Sequence, residues 1–276
     1  MSSIKSLNFK TLSKSIRLLA ILASLISLVN CQSGNHSPII ETVEVTATIQ
    51  HTSIPHAITS LLPIVPTDPA TPDPAQIQLD LLYTSSQKYL ADTEEKSWLV
   101  AGSLGYAPLG GYPSNMCGPL AISILKDAGI VREQTALHDF WLLNPSEDIE
   151  LLQSTFPTDR FEWIHIPMPI DQIDYNTVPL RAGDLVYIYS GTNGDFSHVL
   201  AVTRVDSDGK SYSVTNNYTE NGFVIQEYLL YDPADPGTGI FYDWTNPANR
   251  ELGLTGFGGM DIWRPRQLPY YADGAP

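Results

Sequence analysis

The chain has 276 residues, of which 15 are basic and 30 are acidic, and its formal net charge is −15 at pH 7. Such an acidic chain repels phosphate backbones, so we expect no nucleic-acid partner. It also repels anionic lipid headgroups, so membrane association would depend on a lipid anchor. The sequence contains no metal-ligand spacing such as HExxH or CxxC, and we expect neither a metal nor another cofactor.

Residues 1–31 have the pattern of an export signal. The apolar run at residues 18–29 is too short for a membrane span, which takes about 20 apolar residues. Cys31 follows Leu28-Val29-Asn30, a sequence that resembles the lipobox of bacterial lipoproteins. The segment predicts secretion across the cytoplasmic membrane and lipidation of Cys31, with plain secretion or a retained signal anchor as alternatives. The basic residues before the apolar run are Lys5, Lys10, Lys14 and Arg17.

Residues 32–74 are rich in serine, threonine and proline and show no helical periodicity. This composition is typical of a flexible, partly polyproline tether. We therefore expect the folded domain to span residues 75–276.

Within that domain, the helical patterns come before most of the strand patterns. Apolar residues recur at helical spacing over residues 76–90, 94–104 and 117–128. The stretch at 130–175 predicts a short helix and the strand Phe161–Ile166. Further strands are predicted at residues 184–189, 198–205, 210–218, 222–231 and 260–264. Helices followed by an antiparallel sheet indicate an α+β domain.

Cys117 lies at the predicted start of a helix. Pro119 suits an early helical position, and Gly129 suits the helix end. The exposed amides and the dipole at a helix start favour thiolate over thiol, which indicates a nucleophile. The alternatives are a packed, unreactive cysteine or a disulfide with Cys31, the other cysteine of the chain.

A cysteine nucleophile needs a base, and only His138, His165 and His198 lie outside the tether. His198 opens an apolar strand directly after a polar loop, which is where site residues often lie. His165 lies in the middle of a strand, which is typical of a packed or half-exposed histidine, and His138 lies in a polar turn. We therefore predict His198 as the base.

The predicted hairpin after His198 also supplies an orienting residue. A turn at Ser207-Asp208 would place Asn217 opposite His198, with their Cβ atoms about 5 Å apart. Asn217 would then accept the imidazole N–H and fix the tautomer. A register shift of one residue would place Asn216 there instead, so both asparagines remain candidates.

Together these motifs resemble those of the papain-like cysteine peptidases, and within them the NlpC/P60 and CHAP cell-wall hydrolases. The likeness comes from residues 101–111, the Gly183-Asp184 strand opening and the His198 strand, in the order of the family. The Cys-Gly-Pro sequence at residues 117–119 is similar to that of C39-type peptidases, which share the same superfamily fold.

The resemblance implies N-terminal helices packed on an antiparallel sheet, with an insertion near residues 140–175 that lines or covers the cleft. It also implies an oxyanion hole made by the Cys117 backbone N–H and a second group. Tyr106 is the candidate for that group by position, with Asn115 and Ser114 as alternatives.

The expected function is an exported cysteine hydrolase that cleaves amide bonds in peptidoglycan stem peptides through a thioacyl intermediate. Peptidoglycan or a peptide is therefore the expected partner. One alternative is an exported cysteine protease that acts on proteins or peptides. The other is a catalytically inactive papain-like binding domain at the cell envelope, with Cys117 merely packed.

Overall fold

The computed structural model describes residues 73–105, 116–192 and 197–269. The predicted export signal with Cys31, the tether up to residue 72, and the candidates Tyr106, Ser114 and Asn115 lie outside these residues. No helix within the described ranges is long and apolar enough to cross a membrane.

The helices predicted in the N-terminal half are present. Two of them begin at side-chain caps, because Asp73 accepts a bond from the Ala75 N–H and Thr93 accepts one from the Lys96 N–H. The α-helices are α1 (Pro74–Gln87), α2 (Glu94–Ser103), α3 (Cys117–Asp127), α4 (Ile149–Thr155), α5 (Ile240–Trp244) and α6 (Pro247–Leu252), with 3-10 turns at Leu137–Phe140 and Ile170–Gln172.

The strands form two antiparallel sheets. A four-stranded sheet has the order β1-β7-β2-β3, and a three-stranded sheet has the order β4-β5-β6. Helices with antiparallel sheets confirm the α+β class. The strands are β1 (Phe161–Ile166), β2 (Leu185–Ser190), β3 (His198–Ala201), β4 (Arg204–Val205), β5 (Ser211–Thr219), β6 (Gly222–Tyr231) and β7 (Thr255–Pro265).

The strand predicted at residues 198–205 is in fact two strands in different sheets. β3 ends at Ala201 and pairs with β2, whereas β4 begins at Arg204 and pairs with β5. The chain thus passes from one sheet to the other at residues 202–203. This crossing matters for the candidate site, because it changes which residue faces His198.

The two faces of the four-stranded sheet belong to two separate apolar cores, as the alternation of side chains along a strand requires. Tyr187 and Val199 lie on the face that packs with α3 and Cys117. Ile188 and Leu200 lie on the opposite face, which packs with α5. α3 is buried along most of its length and packs mainly on β3, so the first turn of the helix is held beside that strand.

The start of β2 is fixed by a buried ion pair. Asp184 is fully buried, and its carboxylate accepts bonds from Nε and Nη2 of Arg264 at 2.9 and 2.7 Å. Asp184 also accepts a bond from the Arg181 backbone N–H at 2.8 Å, and Arg264 donates to the Pro179 carbonyl at 2.7 Å. The Gly183-Asp184 motif thus joins the turn before β2 to the end of β7.

Candidate active site

Cys117 is the first residue of α3, and its side chain is partly buried against β3. Burial raises the pKa of the thiol, whereas the backbone N–H groups of Val199, Gly118 and Cys117 itself lower it. These amides are the groups that a sulfur or oxygen anion would need at this position. The predicted helix start at Cys117 is therefore confirmed, but burial outweighs the amides and keeps the resting thiol neutral.

Gly118 is required by the close packing of this helix start. A Cβ atom at Gly118 would lie 2.0 Å from the carbonyl oxygen of Phe140, which is backbone and cannot swing away. Phe140 ends the 3-10 turn that packs against α3. The Cys-Gly-Pro sequence thus has a packing reason in addition to any chemical one.

His198 is the first residue of β3, as predicted, and its ring is held at one nitrogen. Nε2 of the ring lies 2.8 Å from Oγ1 of Thr215, a buried residue of β5. The ring also packs against Trp244 of α5, with 5.1 Å between ring centroids. Since Thr215 holds Nε2, Nδ1 is the nitrogen left for proton transfer.

The predicted pairing of His198 with Asn217 is wrong, and so is the alternative with Asn216. Asn217 pairs with Val224 on β6, and its Oδ1 accepts a bond from the Tyr218 N–H. Asn216 is buried opposite Ile225 and, by alternation, points away from the face that carries Thr215. Two physical reasons account for this: the hairpin of β4 and β5 is shifted by one residue from the predicted register, and the chain changes sheets between β3 and β4. Thr215 therefore takes the place predicted for an asparagine.

The structure brings Cys117 and His198 to the same strand end but does not join them. The sulfur lies beside the Val199 amide, in the core that contains Tyr187. The imidazole turns toward Thr215 and Trp244, on the side of the other core. Within the described residues, no hydrogen bond links the thiol to the imidazole.

His198 is expected to make the stability of the protein depend on pH. Burial lowers the pKa of His198 to about 4, below the value of 6.5 for an exposed imidazole. Below pH 6.5 the imidazole is therefore protonated in the unfolded chain, whereas in the folded protein it stays neutral until about pH 4. The free energy of unfolding is therefore highest above pH 6.5, where His198 is neutral in both states. It decreases by about 3 kcal/mol as the pH falls to about 4.

Urea unfolding at a series of pH values measures this loss. His198→Gln should flatten the dependence between pH 6.5 and 4, whereas His138→Gln, at an exposed position, should leave it unchanged. Equal slopes for wild type and His198→Gln would contradict a neutral, partly buried imidazole.

A second polar cluster, which the sequence did not reveal, lies on the same sheet face as Cys117. Asp261 of β7 is 2 % exposed, and its carboxylate contacts Nδ1 of His165 at 2.6 Å and the hydroxyl of Tyr189 at 2.8 Å. The side chain of His165 is 46 % exposed. The sequence left open whether this strand histidine is packed or half-exposed; the structure shows it half-exposed, with a buried carboxylate as partner.

Tyr187 lies between this cluster and the thiol. Burial raises the pKa of Tyr187, its bond with Ser197 lowers it, and the negative charge of Asp261, together with that of Cys117 when the thiol is ionised, raises it further. Tyr187, Asp261 and His165 also stand side by side on β2, β7 and β1. A polar row thus crosses the sheet from the thiol to His165.

The site has no arrangement suited to a metal in the part of the chain that can be described. There, no three His, Cys, Asp or Glu side chains come together as a metal ion would require. The segment predicted as an insertion, residues 140–175, contributes α4 and the edge strand β1 to the domain.

The chain matches no family model, no curated protein and no solved structure. The likeness to papain-like peptidases therefore remains an expectation that depends on sequence motifs.

Proposed function

We propose that this protein is an exported cysteine hydrolase that cleaves amide bonds, with Cys117 as nucleophile and His198 as base. The observation that carries the proposal is the position of the sulfur at the start of α3, against backbone amides of Val199 and Gly118. An anion formed at this point meets donors that are already in place and need no reorganisation.

The proposed reaction begins with both groups neutral. The Cys117 sulfur attacks the amide carbonyl while its proton passes to His198, and backbone amides bind the oxyanion. His198 then protonates the leaving amine, and a thioester remains on Cys117. Water, deprotonated by His198, releases the acyl group as a carboxylic acid and restores the thiol.

The resting structure requires one movement before this reaction. Since the imidazole is held by Thr215 and Trp244, it must turn toward the sulfur when substrate binds. Its low pKa keeps it neutral near pH 7, which is the form that can accept a proton.

Peptidoglycan stem peptides are the proposed substrate. The motif likeness to cell-wall hydrolases and the pattern of an export signal in residues 1–31 support this choice. Secretion and a lipid anchor at Cys31 are part of the same proposal, and an exported protease acting on proteins is its closest alternative.

A non-catalytic binding domain is the second candidate, and one observation favours it. The thiol and the imidazole are both neutral and are not bonded to each other, as expected if each were simply packed.

Product analysis on purified peptidoglycan and on casein tests these candidates. Wild type should release stem-peptide fragments with new amino termini, and Cys117→Ala should release none. Cleavage of casein alone would indicate the protease. If neither substrate is cleaved and both proteins sediment equally with peptidoglycan, the hydrolase proposal fails and the binding domain stands.

A further inference from the structure

An apolar pocket lies at the far end of the sheet face that carries Cys117. It is open to solvent on one side, has a volume of about 310 Å³, and is lined by α4, β1, β7 and the segments next to them. Four aromatic side chains form much of its wall: Phe156, Phe161, Trp163 and Trp263. Trp163 is 60 % exposed and therefore stands at the mouth, whereas the other three are buried.

The aromatic walls are arranged as rings that pack on one another. Phe156 meets Phe161 edge to face, with 5.1 Å between ring centroids, and lies 6.0 Å from Trp263. Aromatic rings favour such edge and offset contacts with further rings. The volume and the walls therefore suit one more aromatic ring.

One charged group interrupts the apolar lining. Asp261 lies in the pocket wall, and it is the same carboxylate that His165 and Tyr189 hold in place. A carboxylate has about four lone-pair sites, so these two contacts leave it able to accept another hydrogen bond. The pocket thus offers a fixed acceptor beside an aromatic cavity.

We propose that this pocket binds a phenol group, with the ring among the four aromatic side chains and the hydroxyl donating to Asp261. Moving a neutral hydroxyl from water into an apolar cavity costs little free energy when the hydroxyl donates a hydrogen bond to an acceptor there. The desolvation of an ammonium group would cost far more free energy. The imidazole of His165 also already occupies one side of the carboxylate, where a cation would have to bind. The inference does not depend on the proposed hydrolase.

A phenol group could come from a free small molecule or from a tyrosyl side chain of a peptide. The binding chemistry is the same in both cases. A free phenol needs only the pocket, whereas a tyrosyl peptide would also contact the sheet face outside it.

Calorimetric titration of the full chain tests the proposal with p-cresol and p-methylanisole, which differ by the methylation of the hydroxyl. We expect p-cresol to bind about tenfold more tightly, as a hydrogen bond to a charged acceptor implies. Asp261→Asn should reduce p-cresol affinity toward that of p-methylanisole and leave p-methylanisole unchanged. N-acetyltyrosinamide identifies the source: tighter binding than p-cresol indicates a peptide, and weaker binding indicates a free phenol.

Leu152→Phe supplies a second test, because Leu152 lines the pocket from α4 whereas Asp261 belongs to β7, and a larger side chain at position 152 should fill the space. Both ligands should then lose affinity. Near-ultraviolet circular dichroism checks that each variant is folded. If Asp261→Asn is unfolded, the affinities of wild type for the two ligands and those of Leu152→Phe still test the proposal. The proposal is overturned if p-cresol does not bind wild type, if p-methylanisole binds as tightly, or if Leu152→Phe binds both ligands normally.

Discussion

Replacing Asp184 with asparagine is expected to lower the free energy of unfolding by about 3–5 kcal/mol, which is a large fraction of the total for a typical domain. The substitution keeps the shape of the side chain but removes its charge. Arg264, only 5 % exposed, would then be a buried cation without its counter-charge. Urea unfolding followed by circular dichroism measures the loss.

An exposed ion pair provides the control for this prediction. Asp92 and Lys96 form a pair one helical turn apart with both side chains more than half exposed, and Asp92→Asn should leave the unfolding midpoint unchanged. If Asp184→Asn unfolds at the same urea concentration as wild type, the buried pair does not stabilise the start of β2.

Replacing His198 with alanine is expected to lower kcat/KM for amide hydrolysis by a factor of about 10² to 10⁴, the usual contribution of a general base. Thr215→Val retains the ring and removes the bond that holds it at Nε2 in the resting structure, so it should cause no comparable loss. The release of amines from soluble peptidoglycan fragments measures both rates.

The pH profile separates a chemical role of His198 from a structural one. Because the pKa of His198 is about 4 in the folded protein, its protonation should reduce kcat/KM only near that pH, provided that the protein stays folded. His138→Ala, at an exposed position, should retain wild-type activity. If His198→Ala retains activity within threefold of wild type, another group acts as the base.

Local patterns predicted the elements of the domain because each pattern reflects burial along a single segment. The helix start at Cys117 followed from Pro119 and the apolar spacing after it, and the structure places α3 at Cys117–Asp127. β2 followed from its apolar, β-branched residues. Such signals need no knowledge of what lies across the sheet.

The partner of His198 could not be predicted in this way, because it depends on where the chain changes sheets. The predicted turn would place Asn217 opposite His198, but the observed pairs Arg204–Tyr212 and Val205–Ser211 shift the hairpin by one residue. In addition, β3 ends at Ala201 and the chain crosses to the other sheet before β4. Thr215 lies two residues before Asn217 on the same face, so the face was right and the register was wrong.

The pair of His165 and Asp261 was missed for a related reason. The two residues are 96 positions apart in the sequence and meet only because β1 pairs with β7. No local signal in either strand specifies that pairing. The aromatic pocket next to Asp261 follows from the same contact and was equally hidden from sequence.

The most direct test of the proposed nucleophile is the intact mass of the full chain after acid quenching during turnover of peptidoglycan fragments. The proposal predicts a mass gain equal to an acyl fragment, mapped by peptide analysis to Cys117 and absent from Cys117→Ala. Release of the same products by Cys117→Ala at the wild-type rate would contradict it.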